Sequence, residues 1–197
     1  RMLRDAGQYS ITTSIMHKPW NGQTEDHFDS MVTRIRHIDG SWTYDYAVFD
    51  RWVEFMMNEV GIDRLISCYT MIPWNLQFDY YDEATNRIQF VKAKPGDNAY
   101  TEYWGVFLKD FAKHLRAKGW FEKTAISMDE RPMEAMKAAI KVIKDADPDF
   151  KITLAGTYHD EIEKDLYYYS IPYGNDYPTP VKERRRKEGK ISTYYTC

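Results

Sequence analysis

Residues 124–136 read TAISMDERPMEAM, and their reading decides the fold. Thr124 to Met128 is a short, mostly apolar run suited to a buried strand. It ends on two carboxylates, Asp129 and Glu130, and Pro132 then launches a helix. Proline is favoured in a first helical turn, where its missing N–H would have no partner. Met133, Met136, Ile140 and Ile143 follow at steps of three and four, which is one helical face. A strand passing through a polar tip into a helix is the repeating unit of parallel α/β folds, which carry their chemistry at those tips. Two adjacent carboxylates repel, so one of them is expected to hold its proton more tightly. A chain that keeps such a pair at a strand tip points to a site.

The same unit recurs on both sides. Ser10 to Met16, Arg64 to Met71, Lys151 to Ala155, Leu166 to Ile171 and Ile191 to Tyr195 read as further strands. Helices are predicted after Asp45, ending at Gly61, from about Ala99 to Lys118, from Pro132 to about Ala146, and over Val181 to Glu188. The last of these, VKERRRKE, reads as a solvated charged face. Two hairpins are predicted in loops that follow a strand, one around Asp39-Gly40 and one around Glu83 to Asn86.

Six such repeats call for a parallel sheet with helices outside, and a (β/α)8 TIM-like barrel fits best, with about six of its strands in this chain. A doubly wound open sheet is the alternative, but no glycine-rich phosphate loop is present. RMLRDAGQ at the start reads as the last turn of a helix, and KISTYYTC at the end as a strand lacking its loop. The chain is thus expected to be one domain, residues 1–197, forming part of a longer barrel. Its two open strand edges invite self-association.

With 197 residues the chain can bury one sizeable core. A net charge of −3 gives no reason to expect a nucleic acid or an anionic membrane as partner. No stretch approaches the roughly 20 apolar residues of a membrane span. Cys68 lies in an apolar run and reads as a buried thiol; with Cys197 it makes no disulfide framework and leaves the compartment open. Aromatic content is the outlier, with 16 Tyr and 6 Trp, whose flat faces and polar tips suit sugars.

In a barrel the strand tips converge. They bring His17, Lys18 and Trp20 together with Trp74, Asp129, Glu130, Tyr158, His159, Tyr173, Tyr194 and Tyr195. An aromatic mouth around one acidic pair has the make-up of a carbohydrate pocket. His17, Trp20, Trp74, Tyr158, His159 and Tyr195 are the candidate substrate-binding residues, although a tryptophan after proline at a strand end is as often a plain loop anchor. The five histidines form no H-E-x-x-H and no close pair, so a metal set of His17, Asp129 and His159 is the poorer reading. No metal and no cofactor is expected, nor a serine or cysteine nucleophile. The bland alternative for the pair is that Asp129 caps the following helix while Glu130 sits near its positive end.

The string AISMDERPM resembles the catalytic segment of glycoside hydrolase family 123, as do SIMHKPWNGQT, ADPDFKITLAG and KISTYYTC elsewhere in the chain. The resemblance runs through nearly the whole sequence. It implies a barrel catalytic domain, usually behind a β-sandwich domain that this chain lacks, and an exo-acting β-N-acetylgalactosaminidase. It also implies a glycan or glycolipid with a terminal amino sugar as partner, and a secreted or periplasmic location.

Retaining glycosidases usually set two carboxyls about 5 Å apart across the bond, a division that sequence neighbours serve poorly. If the sugar's own 2-acetamido oxygen attacks the anomeric carbon, no protein nucleophile is needed. By resemblance, Asp129 then holds the acetamido N–H and steadies the oxazolinium charge, while Glu130 protonates the leaving oxygen. Ionised Asp129 is expected to raise the pKa of Glu130. Strand-tip position offers Tyr158 or Tyr195 as a hydroxyl donor to the acetamido oxygen. A sugar-binding barrel that has lost catalysis is the alternative, and it needs no proton donor at Glu130. Preference for galacto over gluco sugars stays open.

Overall fold

A computed structural model describes residues 1–196; Cys197 lies outside the described residues. The chain opens with a single helical turn, α1 (Met2–Asp5), and then strand β1 (Ser10–Ser14). The first hairpin is β2 (Thr33–Arg36) and β3 (Trp42–Asp45). Helix α2 (Ala47–Phe55) follows, started by Asp45, whose carboxylate accepts the Ala47 N–H at 2.8 Å. It runs on into a π-helical turn, Met56–Val60, that stops at Gly61 in the left-handed region. After β4 (Leu65–Tyr69) come the second hairpin, β5 (Gln77–Asp82) and β6 (Arg87–Lys92), and helix α3 (Asn98–Ala117). The remainder alternates as β7 (Thr124–Asp129), α4 (Met133–Ala146), β8 (Lys151–Ala155), β9 (Tyr168–Pro172), α5 (Thr179–Lys187) and β10 (Ile191–Tyr195).

The structure is mixed α/β with a six-stranded, wholly parallel sheet in the order β1-β4-β7-β8-β9-β10. Alternation along each strand separates its two faces. Ile11, Ile66, Ile126, Ile152, Leu154 and Ile171 are buried on the convex side. Against it lie the apolar faces of the helices: Trp104, Phe107, Phe111 and Leu115 of α3, and Met136, Ile140 and Ile143 of α4. Complete burial of each such side chain contributes about 1.5–3 kcal/mol, which is why these two amphipathic helices stay docked.

The other face is concave and polar. Ser10 and Ser67 share a hydroxyl bond at 2.9 Å, and Thr153 donates to Ser127 at 2.7 Å. A cavity of about 270 Å³ remains in the trough, lined by Ser10, Thr12, Ser67, Tyr69, Thr153 and Tyr168 among others. The curvature is strong. Tyr9, just ahead of β1, meets Tyr168 of β9 edge to face with ring centroids 6.5 Å apart. Four strand spacings separate those positions, about 19 Å in a flat sheet. The sheet is therefore rolled into a trough, with β1 and β10 as its unpaired edges among the described residues, and no closed barrel is formed.

The two hairpins do not stand alone as the sequence suggested. They join into one four-stranded sheet, β3-β2-β5-β6, through a short parallel contact pairing Ile35 with Tyr81 and Arg36 with Asp82. The charged helix α5 is also not simply a solvated face. Arg185 is fully buried and reaches Glu163, itself buried, at 3.0 Å, and Arg184 bonds the second oxygen of that carboxylate. Arg185 further donates to the carbonyls of Leu166, Tyr167 and Ile191, so the guanidinium stitches α5 to the ends of β9 and β10. Among the described residues no helix is long and apolar enough to cross a membrane.

Candidate active site

Asp129 is the last residue of β7 and shares its strand face with Ser127, the trough side. It is half-buried, and burial pushes its carboxyl above the usual range while Arg131 pulls the other way. Tyr69, at the tip of neighbouring β4, is pushed up to about 12, first by burial and then by the charge of Asp129. Trp20 packs on Tyr69 at 5.1 Å between ring centroids and on Phe28 at 5.4 Å. The tips of β1, β4 and β7 thus supply a series of rings leading to one carboxylate.

Glu130 leaves the chain on the other side. Its Oε2 accepts the Thr157 N–H at 2.9 Å, and its Oε1 lies 2.9 Å from His159 Nε2. Partial burial would raise this carboxyl, but the Thr157 and His159 donors outweigh it, and the net effect is below the usual range. The expectation that Asp129 raises Glu130 is therefore corrected. The two side chains diverge, and Glu130 is surrounded by groups that favour its charge.

Room for Glu130 exists because residue 156, just past β8, is glycine. A Cβ there would stand 2.6 Å from Glu130 Cβ and 3.0 Å from Oε2. The loop from 157 to 159 is fixed from β9: Tyr169 donates its hydroxyl hydrogen to the Thr157 carbonyl at 2.5 Å and accepts the His159 N–H at 2.8 Å.

Arg131 extends the site sideways. It donates to the Ile72 carbonyl at 3.0 Å and lies 3.4 Å over the ring of Trp74, which is 55% exposed. Trp74 is thereby tied to the acidic pair through Arg131. Beyond it runs a groove of about 620 Å³ whose lining includes Ile72, Trp74, Leu76, Arg131 and Ala135.

Two candidates, His17 and Tyr158, are placed differently, and Tyr195 stays on the trough side. His17 turns to the small sheet, with Nδ1 2.8 Å from Asp29 and its N–H on Asp79 at 3.1 Å. Tyr158 donates to Asp160 at 3.0 Å and stacks on Tyr169, away from the trough. Tyr195 shares the strand face of Thr193, whose hydroxyl donates to Tyr168 in the trough. His17, Asp129 and His159 do not converge, and the described residues hold no cluster of three or more metal-ligating side chains. The capping alternative also fails. Helix α4 begins at Met133 behind Pro132, and no side chain caps it.

Tyr69, Gly156, Thr157 and Tyr169 escaped the sequence reading. Tyr69 and Tyr169 sit inside strand patterns where an aromatic reads as core. A glycine closing the KITLAG strand was the one available signal for close approach.

No curated protein matches the chain. A solved family 123 glycoside hydrolase from Clostridium perfringens, described in terms of glycolipid glycan hydrolysis, is 31% identical and superposes with a TM-score of 0.89. The match covers 100% of this chain and 37% of that one. The pattern characteristic of the glycoside hydrolase 123 catalytic domain matches residues 1–197. This chain therefore belongs to the glycoside hydrolase 123 catalytic-domain family.

Proposed function

We propose that residues 1–197 are part of the catalytic barrel of a retaining glycosidase that releases terminal β-linked N-acetylgalactosamine from a glycan or glycolipid. The rolled trough corresponds in this reading to six strands of a (β/α)8 barrel. The observation that carries the proposal is the divergence of two adjacent carboxylates at one strand tip. Asp129 looks into a polar trough beside Tyr69, while Glu130 sits at the rim against Thr157 and His159.

Depth supports the division of labour. A group that holds the acetamido N–H must lie beneath the sugar ring, and Asp129 faces the trough in which this reading seats the sugar. A group that protonates the leaving oxygen must lie beside the scissile bond, and in this reading Glu130 at the rim is that group. As the C1–leaving-oxygen bond breaks, the acetamido oxygen bonds to C1 and the Glu130 proton passes to the departing oxygen. Glu130, now a carboxylate, then takes a proton from the water that opens the oxazolinium. Tyr69 brings a trough-side hydroxyl for the acetamido oxygen, Tyr195 shares that strand face, and Trp20 offers a ring for stacking. A sugar-binding domain without catalysis has no use for a carboxylate cradled as Glu130 is.

The test compares an aryl β-N-acetylgalactosaminide with the matched aryl β-galactoside on the full-length protein. Turnover of the first and inertness of the second is expected, because the protein has nothing to replace the acetamido nucleophile. Comparable turnover of the plain galactoside, or a sugar trapped covalently on a side chain, overturns the mechanism.

A further inference from the structure

Three residues of the loop after β8 act on one carboxylate, and a fourth, on β9, holds the loop. Gly156 gives it room, Thr157 N–H holds one oxygen, His159 Nε2 holds the other, and Tyr169 fixes the loop itself through two hydroxyl bonds. Tyr169 is fully buried, and its own carbonyl accepts the Tyr177 hydroxyl at 2.6 Å, so the loop is anchored on the packed side of β9. A loop needed only for the fold has no reason to spend its imidazole and a backbone N–H on a half-exposed glutamate.

We infer that Gly156 to His159, pinned by Tyr169, form a clamp for Glu130, and that His159 is a positioning residue acting through Glu130 rather than a contact to the sugar. The inference rests on the proposed function, in which Glu130 must be an acid in one step and a base in the next. The clamp fixes where the Glu130 oxygens stand in both steps. With hydrogen on Nε2, His159 donates to the carboxylate form, which is left when the proton goes to the departing oxygen and consumed when water gives one back. Stabilising that form makes Glu130 the stronger acid in the first step. The other titratable groups around Glu130 are Asp129 and Arg131 beside it on the chain and Tyr169 on β9. None of them donates a hydrogen bond to its carboxylate oxygens, which leaves Thr157 and His159 as the donors that lower its proton affinity.

The experiment is the pH dependence of kcat and KM for an aryl β-N-acetylgalactosaminide with a poor leaving group, on the full-length protein. The alkaline limb of kcat/KM reports loss of the acid proton. In His159→Ala that limb is expected to move up by about one pH unit, because a hydrogen bond favouring the charged form is gone. kcat should fall about 10- to 100-fold, with KM within about twofold of wild type. His159→Gln, which keeps an N–H donor, should return the limb most of the way. Tyr169→Phe should move the limb in the same direction by less, and it keeps the test alive if His159→Ala does not fold.

A raised KM with unchanged kcat and an unmoved limb makes His159 a sugar contact and overturns the inference. So does a wild-type profile in Tyr169→Phe when His159→Ala cannot be made. Glu130→Gln is the control. Full activity there means the acid itself is misassigned, whereas its loss beside an unmoved His159→Ala limb means only the clamp is wrong.

Discussion

The backbone of Gly156 lies against the side chain of Glu130 so closely that a methyl group on residue 156 would stand 2.6 Å from Glu130 Cβ. No real Cβ tolerates that distance, and the neighbour is the stiff base of a side chain rather than its tip. Gly156→Ala is therefore expected to displace Glu130 from Thr157 and His159. A misplacement of about 1 Å at a reacting group costs about 100-fold in rate. Steady-state kinetics should show that loss, while the far-UV circular dichroism stays that of the wild type.

Glu130→Gln removes the proton donor and keeps the shape. General acid catalysis is worth about 10²–10⁴-fold, so a substrate with a poor leaving group should lose that much. An activated aryl leaving group, which departs with little protonation, should lose far less in the first step. Parallel rate measurements over a series of leaving groups give the comparison, and equal losses would remove Glu130 from the acid role.

Asp129 carries its charge at a cost to the fold. Its folded-state carboxyl lies above the usual range because of burial. The native state thus binds the proton more tightly than the unfolded chain does. Stability is greatest below the unfolded value and falls as pH rises through the folded one. Asp129→Asn should therefore raise the melting temperature at neutral pH and change it little in acid. It should also slow turnover and weaken binding of a thiazoline analogue of the sugar, since an amide cannot offset the developing cation. Calorimetry at two pH values beside inhibition measurements checks both halves.

Arg185 and Glu163 form a buried ion pair at 3.0 Å. Removing one partner of such a pair leaves the other charge unpaired in the interior, at about 3–5 kcal/mol. Arg185→Met should therefore lower the urea midpoint strongly, and Arg186→Met, one residue along at an exposed position, should barely move it.

Strands β1 and β10 leave two parallel edges unpaired among the described residues. Such edges are templates for another strand. The isolated chain is expected to associate as its concentration rises, in light scattering, and a sharply melting monomer would count against reading the trough as part of a barrel.

What was legible in the sequence were the parts built from local periodicity. The Met136, Ile140, Ile143 stripe gave α4, Asp39-Gly40 gave the first hairpin, and the apolar runs gave all six strands of the main sheet, β8 and β10 to the residue. What was not legible depended on partners distant in the chain. Nothing near Ile35 announces that it will pair with Tyr81, so two hairpins were expected where one sheet stands. Arg185 looks like its solvated neighbours until Glu163, 22 residues earlier, is seen buried against it. The direction in which Glu130 is shifted was misjudged for the same reason. Its adjacent neighbour Asp129 was visible, but the donors that decide the matter lie 27 and 29 residues on.

The small sheet has one further consequence, carried by Arg34. This guanidinium is buried, donates to the Ile15 carbonyl at the end of β1 at 2.7 Å, and lies 4.2 Å over Phe107 of α3. Peeling the small sheet away would strand a cation, a carbonyl and an aromatic face together. The two sheets are therefore bound to open as a single cooperative unit, and amide protons of β2 should exchange with solvent no faster than those of β4. The small sheet is in this sense part of the foundation: a loop insertion expected to breathe as slowly as the core beneath it.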